Sequence, residues 1–403
     1  MGSKEASREA LAGVRVLDVS AVLAAPVSAT MLGDFGADVV KVEAPRVGDF
    51  TRRGAAQEGG RSLEWVQEAR NKRSITLDLH HHRGREILKQ LLAHFDVLVT
   101  NFRPPTLRAW GLDQETIRRE FPDLIALYIT GYGLTGPYSD RGAFDRIASA
   151  FAGLTYVSGF PESPPVRSGF AVIDYMTAYL AAFSVVTALY HRDLRGGGGQ
   201  AIDLALYEAG FRASEGALLH YAANGSVRER SGNRNPEVVP ASDFVTADGR
   251  RVAIHAGTQS LFGRLAGVMG RQDLLDDPRF STHHARVEHQ NELYDTIAAW
   301  ASTQPCDALI DVLAEADIPC APIMSIADIA SNTHYRDRES FMPWKDEDYG
   351  DILMVSPIPK MSVTPGAVRS GGPGLGAHND EIYGSLLGLS PRDVHALEEQ
   401  GII

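Results

Sequence analysis

The sequence predicts an α/β protein with a mainly parallel, doubly wound sheet and a smaller α+β domain. Between residues 13 and 130, short runs rich in branched apolar residues alternate with segments of helical periodicity. Strands that alternate with helical segments of roughly 10–15 residues indicate βαβ units with right-handed crossovers. Beyond residue 225 the pattern changes, because SDFVTADGRRVAIHAG (242–257) predicts a hairpin that turns at Asp248-Gly249 and helices follow it.

The elements of the predicted sheet follow one another in chain order. A helix with Pro26 at its first position follows the first strand and ends near Gly36, and Asp113 caps a later short helix. RGREILKQLLAHF (83–95) has apolar residues at helical spacing. The predicted strands are GVRVLDVS (13–20), ADVVKVEA (37–44), RSITLDL (73–79), DVLVTNF (96–102) and LIALYIT (124–130). Ligands of such sheets bind at the carboxyl ends of the strands.

Glycine-rich and proline-rich segments mark the predicted domain boundaries. Four glycines in RGGGGQ (195–200) interrupt a long helix, and segments such as VSPIPKM (355–361) and SGGPGLGAHND (370–380) indicate long connections before a last helix. We therefore assign residues 1–200 to the large domain and 201–224 to a linker. Residues 225–330 form the predicted small domain, and 331–403 form a linker and a C-terminal part that returns to the large domain.

Composition and charge exclude several classes of protein. The chain of 403 residues has 39 Lys plus Arg against 51 Asp plus Glu, and its net charge of -12 opposes binding to nucleic acid. No run of 18 or more apolar residues and no apolar N-terminal segment is present, so neither a membrane span nor a secretory signal is expected. The two cysteines are too few for a disulfide framework, which favours the cytoplasm.

Two familiar kinds of site are also not expected. The first strand is followed by AVLAAP (21–26) and not by G-x-G-x-x-G, which disfavours an ordinary nicotinamide enzyme. His80, His81 and His82 are consecutive, so their side chains diverge and no metal site is predicted there. His255 follows a strand, where it either faces a substrate or has a structural role.

One carboxylate, Asp174, lies where an extended apolar run meets a long helix. FAVI (170–173) precedes it, and the helix YMTAYLAAFSVVTALYHR (175–192) has apolar residues on nearly every side, which indicates burial. Asp is a preferred N-cap residue, and a helix N-terminus stabilises negative charge. The same setting holds an ionised carboxylate in one orientation, as a covalent nucleophile requires. The local sequence leaves the capping and the catalytic function both open.

The order of several longer motifs identifies a family. They are LAGVRVLDVSAVLAAP (11–26), GADVVKVEAP (36–45), NKRSITLDL (71–79), VTNFRPPTL (99–107), TGYGLTGPYSDRGAFD (130–145), IDYMTAYLAA (173–182) and GGGGQAIDLALYEA (196–209). In this order and spacing, from about residue 11 to the C-terminus, the chain resembles the class III CoA-transferases of the formyl-CoA transferase and carnitine CoA-transferase type.

This resemblance implies a fold, a reaction and a nucleophile. The fold is a Rossmann-like large domain with a small domain, in a homodimer whose two chains are threaded as interlocked rings. The reaction is transfer of CoA between an acyl-CoA and a carboxylic acid, with the CoA thioester as substrate and no further cofactor. The position of Asp174 is that of the family's nucleophile, which forms aspartyl anhydride and thioester intermediates. A metal, a nucleic acid or a membrane is not expected as a partner.

The resemblance also implies contacts to CoA and substrate. Backbone N–H groups of the small-residue turn after the first strand are candidates for oxyanion stabilisation. Asp145 is either a second carboxylate that shifts the pKa of Asp174 or a structural acid at a helix start. The implied binding residues are Val22, Leu23, Ala24, Arg70, Asn71, Lys72, Arg73, Asn101, Phe102, Arg103, Arg108 and Asp145.

The chain departs from relatives of this family at several positions. Many relatives have an arginine where this chain has Ala109, so Arg108 either replaces it from another direction or the phosphate contact is missing. Leu23 and Ala44 replace residues of the oxalate-using branch, which disfavours oxalate or formate. The related α-methylacyl-CoA racemases carry a histidine where Phe144 stands, and phenylalanine cannot move a proton. A racemase-like isomerase and an inactive CoA-binding protein remain the alternatives.

Overall fold

The computed structural model describes residues 9–53 and 61–403, which form two compact units. The prediction that the first residues carry no secretory signal lies in part outside the described residues. The larger unit runs to Leu154 and includes Ser168–Leu218 and Arg338–Ile403. The smaller unit comprises Thr155–Arg167 and Leu219–Asp337.

The secondary structure of these residues is numbered in chain order. The strands are β1 (Arg15–Val19), β2 (Asp38–Glu43), β3 (Lys72–Thr76), β4 (Val97–Thr100), β5 (Ile125–Thr130), β6 (Ala201–Ala205), β7 (Ala241–Val245), β8 (Arg251–His255), β9 (Cys320–Pro322), β10 (Phe341–Asp346) and β11 (Gly350–Val355). The helices up to the glycine run and shortly after it are α1 (Ala24–Asp34), α2 (Leu63–Glu68), α3 (His82–Leu92), α4 (Pro104–Trp110), α5 (Gln114–Glu120), α6 (Asp145–Phe151), α7 (Leu154–Val157), α8 (Val172–Arg195), α9 (Leu206–Arg212) and α10 (Ala217–Asn224). The later helices are α11 (Gln259–Val268), α12 (Asp273–Asp276), α13 (His283–Glu288), α14 (Gln290–Ala301), α15 (Cys306–Glu315), α16 (Ile326–Ser331), α17 (Thr333–Asp337), α18 (Asn379–Leu387) and α19 (Pro391–Glu399).

The larger unit is built on a six-stranded parallel sheet, as the alternation of strands and helices predicts. The strand order is β3-β2-β1-β4-β5-β6. Strands β1 to β5 are almost continuously buried, because helices cover both faces and each face packs against its own apolar cluster. The α/β fold with a parallel sheet is therefore confirmed.

The strand order fixes where a ligand can bind to this sheet. The chain runs outward from β1 to β3 and then returns to place β4 on the other side of β1. In doubly wound sheets, ligands bind in the crevice outside the carboxyl ends of the strands, at the point where the order reverses. Here that point lies between the carboxyl ends of β1 and β4.

The region predicted as a linker, residues 201–224, contains regular structure instead. Its first part is the edge strand β6, which pairs in parallel with β5 through the register Tyr128↔Asp203. The glycine run does end α8, since Gly196 adopts the left-handed conformation of a helix C-cap with φ 69°. After this glycine run the chain returns directly to the sheet as β6. As an edge strand, β6 is hydrogen-bonded to a neighbour on one side only.

The smaller unit combines the predicted hairpin with helices. Strands β7 and β8 are antiparallel, β9 adds to β8, and Gly249 in the connecting turn has φ 77°. The core of this unit is formed by Phe262, Leu293, Leu309 and their apolar neighbours. Buried Arg286 donates hydrogen bonds to the carbonyl oxygens of Val239, Gly257 and Phe280 and so links the strands to the helices.

Helix α8 is buried on one face only, which corrects the prediction of burial on all sides. Its inner face packs against the sheet and α1, whereas Phe183 and Leu194 on the outer face are 69% and 72% exposed. By length and composition alone the helix is apolar enough to cross a membrane, with a mean hydropathy of 1.6 over 18 residues. A core helix meets the same criterion, and the expected absence of a span remains a prediction.

Candidate active site

A cleft of about 470 Å³ opens at the predicted edge of the sheet, inside the larger unit. Its walls come from the segments that follow β1, β4, β5 and β6, together with the start of α8. Four strands therefore direct their carboxyl ends toward one space. The lining residues are Ala21, Val22, Leu23, Ala24, Asn101, Phe102, Arg103, Thr106, Ile129, Thr130, Gly131, Arg141, Gly142, Ala143, Phe144, Asp174 and Leu206.

Asp174 lies in this cleft at the third position of α8, and it is not the N-cap residue. The helix begins at Val172, with Ala171 as the N-cap. The carboxylate of Asp145 caps the helix instead: its Oδ2 accepts hydrogen bonds from the backbone N–H groups of Ile173, at 2.8 Å, and Asp174, at 3.3 Å. Because Asp145 satisfies the first turn, the side chain of Asp174 is left available for other contacts.

The carboxyl group of Asp174 is buried and has no hydrogen-bond partner among residues 9–53 and 61–403. The residue is 8% exposed. Burial raises its pKa to about 7, and the nearby negative charge of Asp145 adds to the shift. A buried polar group without a partner is costly, and such groups mark functional sites. The folded chain therefore holds a poorly solvated carboxylate facing an open cleft.

The opposite wall of the cleft is a tight turn between β1 and α1. Val22 has φ 70°, a left-handed conformation that is strained for a β-branched residue. Its N–H donates to Oδ1 of Asp49 at 3.2 Å. Asn101, at the end of β4, donates to the carbonyl oxygen of Ala21 and accepts from its N–H at 2.6 and 2.9 Å. These contacts fix the turn in its strained conformation.

A buried charged cluster supports this turn from below. Lys41 donates to the carbonyl oxygen of Ser20 and lies 3.1 Å from Asp49, whereas Lys72 donates to the carbonyl oxygen of Pro26 at 2.6 Å and to Asp18 at 2.9 Å. Burial alone would raise the pKa of Asp18, but the two ammonium groups outweigh it and hold that pKa below its usual range. The two lysines thus bind the turn at both of its ends.

The structure places five of the predicted binding residues outside the cleft. Residues 70–73 lie at the start of β3, and the amino end of a parallel strand is at the edge of the sheet opposite the cleft. They meet acidic side chains from other elements, and the side chain of Lys72 extends from this edge to the turn between β1 and α1. Arg70 pairs with Asp34 and Asn71 donates to it, Lys72 binds Asp18, Arg73 pairs with Asp38 and Glu381, and exposed Arg108 is 3.6 Å from Asp140.

The other predicted residues meet in one place. Val22, Leu23, Ala24, Asn101, Phe102, Arg103 and Asp174 all line the cleft, and Asp145 touches the backbone of Asp174. Arg103 is exposed and forms no ion pair with any described residue, in contrast to Arg70 and Arg73. It is the predicted cation that the structure leaves available to an anionic ligand.

The sequence analysis did not predict that Arg141 and the segment after β5 form part of the cleft. Gly131 and Ala143 approach so closely that a Cβ atom on Gly131 would lie 2.6 Å from that of Ala143. This contact brings residues 141–145 against the end of the sheet, with Arg141 in the lining and Asp145 beside α8. The signal was present in the motif TGYGLTGPYSDRGAFD, whose arginine went unremarked.

The cleft has the groups that acyl transfer requires. Asp174 places a buried carboxylate in it, the kind of group that can act as a nucleophile, and the first turn of α1 presents backbone N–H groups that have no partner within the helix. Leu23 and Ala24 at this turn line the same cleft as Asp174. Donors so placed stabilise an oxyanion that forms on an attacked carbonyl.

Comparisons with known proteins agree with this chemistry. The model of CoA-transferase family III matches residues 11–379. The chain is 41% identical over 391 residues to succinyl-CoA–D-citramalate CoA-transferase of Chloroflexus aurantiacus, covering 97% of each chain. It is also 41% identical over 397 residues to the beta subunit of succinyl-CoA–L-malate CoA-transferase of the same organism, covering 98% of each. A crystal structure of a CAIB/BAIF family protein from Brucella suis superposes with a TM-score of 0.82 at 31% identity, covering 94% of this chain and 99% of that one. The chain therefore belongs to CoA-transferase family III.

Proposed function

We propose that this enzyme moves CoA between an acyl-CoA and a carboxylic acid through covalent intermediates on Asp174. The observation that carries the proposal is the carboxyl group itself, which is 8% exposed, lacks a hydrogen-bond partner in the described chain and lines the cleft. A carboxylate that is poorly solvated is a stronger nucleophile than one in water. The exchange of one thioester for another needs no ATP.

The proposed reaction has two symmetrical halves. Asp174 attacks the thioester carbonyl of the donor, which expels CoA thiolate and leaves a mixed anhydride. The thiolate then attacks the aspartyl carbonyl, which releases the donor acid and leaves an aspartyl-CoA thioester. The acceptor carboxylate attacks this thioester and expels the thiolate again. Attack of the thiolate on the acceptor carbonyl gives the new acyl-CoA and restores the carboxylate of Asp174.

Each attack places negative charge on a carbonyl oxygen near the turn at Val22. We propose that the N–H groups of Leu23 and Ala24 stabilise this charge, since their helix leaves them without internal partners. A well-placed donor of this kind contributes about 2.7–4 kcal/mol. The contacts from Asn101 and Asp49 hold the donors in place before substrate arrives.

We propose that the substrates are dicarboxylic acids and their CoA thioesters. The two relatives named above are named for succinyl-CoA with D-citramalate or L-malate. Succinyl-CoA is the thioester of a dicarboxylic acid, and citramalate and malate are dicarboxylic acids themselves. The exposed guanidinium of Arg103, next to Phe102 and Asn101, suits a phosphate of CoA. In this proposal CoA is a substrate and no further cofactor takes part.

The test of the proposed reaction is transfer of an isotopic label. When the enzyme is incubated with succinyl-CoA and ¹⁴C-labelled dicarboxylic acids in the absence of ATP, label should enter the CoA thioester pool. Initial rates should follow ping-pong kinetics, because the donor acid leaves before the acceptor attacks. Thioester hydrolysis without transfer of label to any acid would contradict the proposal.

The pKa of Asp174 sets the expected pH dependence. Because the anion is the nucleophile and its pKa is about 7, kcat/KM should fall about tenfold per pH unit below that pH and level off above it. Asp145→Asn removes the like charge and should move this acidic limb to lower pH, while the amide oxygen still caps α8. The pKa that this limb reports should remain above that of an ordinary Asp, because burial is the larger cause of the shift.

The matched control for this profile is Asp140→Asn. Asp140 is exposed beside Arg108, and its loss should leave the acidic limb in place. An acidic limb that does not move in Asp145→Asn would show that another group controls the profile.

We further propose that the enzyme is a homodimer of interlocked chains in the cytoplasm. The outer face of α8 supports a dimer, since contiguous exposed apolar side chains often mark protein–protein interfaces. The side chains on this face are those of Tyr179, Phe183, Val186, Tyr190 and Leu194. Both cysteines are free thiols, as expected in a reducing compartment. The molar mass from light scattering should be twice 43.7 kDa.

A further inference from the structure

We infer that Arg141 binds the distal carboxylate of the substrate and selects dicarboxylic over monocarboxylic acids. The inference rests on the proposed function and adds the residue that would determine specificity. Arg141 lines the same cleft as Asp174 and is exposed there. Its guanidinium forms no ion pair with any side chain in the described part of the chain.

Several arginines of the larger unit have acidic partners, whereas Arg141 has none among the described residues. Arg52 pairs with Glu43, Arg70 with Asp34, and Arg192 with Asp96. Among the lining residues, only Arg103 and Arg141 are cationic, and neither has such a partner in the described ranges. The cleft therefore presents two guanidinium groups whose countercharge has to come from a ligand.

Contacts with Tyr138 hold Arg141 in place, although no carboxylate of residues 9–53 or 61–403 pairs with it. Its guanidinium carbon lies 3.8 Å from the centre of the Tyr138 ring, and its backbone N–H donates to the carbonyl oxygen of Tyr138 at 2.9 Å. Tyr138 packs in turn against Tyr132 and Phe151, with ring centres 5.8 and 6.0 Å away. Stacking on an anchored ring orients the planar fork that binds a carboxylate in bidentate fashion.

The chain also ties Arg141 to the nucleophile. Three residues separate it from Asp145, whose carboxylate binds the N–H groups of Ile173 and Asp174. The same short segment thus positions the nucleophile and supplies the cation. A cation in the same cleft as Asp174 suits the second carboxylate of a diacid, because Asp174 and Asp145 would otherwise repel that charge.

The two arginines suit different anions. Arg103 follows β4 at the N-cap of α4, and no aromatic ring is stacked on it within the described residues. A side chain with this freedom fits the phosphates of CoA, which all acyl-CoA substrates share. Arg141, which is held by Tyr138, fits the part of the substrate that differs between acids.

Isotopic self-exchange separates these assignments, because it uses one acid at a time. The exchange of ¹⁴C-succinate into succinyl-CoA is compared with that of ¹⁴C-butyrate into butyryl-CoA, an acid with the same carbon chain and one carboxylate. Arg141→Gln should lower kcat/KM for succinate roughly ten- to hundredfold, mainly through KM, and leave butyrate within about twofold. Arg141→Lys should recover part of the loss. Arg119→Gln, an exposed arginine on α5, is the matched control.

The outcomes are distinct. An equal loss with both acids, or a loss of thermal stability that accounts for the change, overturns the assignment of Arg141 alone. A wild-type enzyme that exchanges butyrate as well as succinate overturns it too, as does an Arg103→Gln variant that selectively loses succinate while Arg141→Gln does not. A wild-type enzyme that exchanges no acid overturns the proposed function and this inference with it.

Discussion

Replacing Asp174 with asparagine or alanine should lower CoA transfer by at least about 10⁴-fold, while acyl-CoA binding and the fold persist. Neither side chain can form an anhydride or a thioester with CoA. Asparagine has nearly the size of aspartate, so the cleft keeps its shape. The loss is measured as the initial rate of label transfer, and retained binding as the Kd for acyl-CoA from calorimetry.

The stability of the same variant checks that the protein remains folded. A folded-state pKa of about 7 means that Asp174 contributes stability below its unfolded pKa and that this contribution is lost as pH rises through 7. Asp174→Asn should therefore have a higher Tm than the wild type at pH 8 and a smaller advantage near pH 5. Full turnover by either variant would remove the assignment of the nucleophile.

Lys72→Met should destabilise the fold by about 3–5 kcal/mol, because it leaves the buried carboxylate of Asp18 with less compensating charge. Asp18 is 0% exposed, and it binds Lys72 at 2.9 Å and Lys41 at 3.6 Å. The loss should also free the carbonyl oxygen of Pro26 in the first turn of α1. It is measured by thermal and denaturant unfolding.

This prediction separates two functions of Lys72, support of the turn and binding of a CoA phosphate. A lysine that bound a phosphate of CoA would raise KM for every acyl-CoA on substitution and would leave stability unchanged. Lys89→Met is the matched control, since Lys89 forms an exposed pair with Glu120 and such pairs contribute about 0–1 kcal/mol. Equal stability of the Lys72 and Lys89 variants would rule out the supporting function of the buried cluster.

Features of the fold that depend on local chemistry could be predicted from the sequence. The apolar runs of β1, β2, β4 and β5 indicate strands that are buried on both faces. Asp113 caps α5 by accepting from Thr116, and Gly249 permits the turn of the hairpin. Each of these signals lies within a few residues of the element that it defines.

Features that depend on distant partners could not be predicted in this way. The local sequence allows Asp174 to be an N-cap because Asp145, whose carboxylate caps the first turn of α8, comes from a segment 29 residues earlier. Arg70, Lys72 and Arg73 looked like a phosphate site because their acidic partners lie on other elements of the sheet. The partners in such ion pairs are known only once the order of the strands in the sheet is known.

The resemblance to a family predicted site residues that local patterns could not identify, but only some of them line the cleft. It singled out Asp174, and the cleft is where the structure places that residue. It also implied contacts for residues 70–73 and Arg108, which the structure places elsewhere. Arg141 could not be predicted as a binding residue, because that inference depends on its having no ion-pair partner among the described residues. Only the three-dimensional structure shows this.

The most direct test of the account is mass spectrometry of the enzyme quenched during turnover. After incubation with acyl-CoA alone and acid quenching, the peptide that contains Asp174 should carry the added mass of CoA, less one water, and the Asp174→Asn variant should carry none. An enzyme that transfers CoA at full rate while this peptide stays unmodified, with the adduct on another residue or on none, would contradict the central claim.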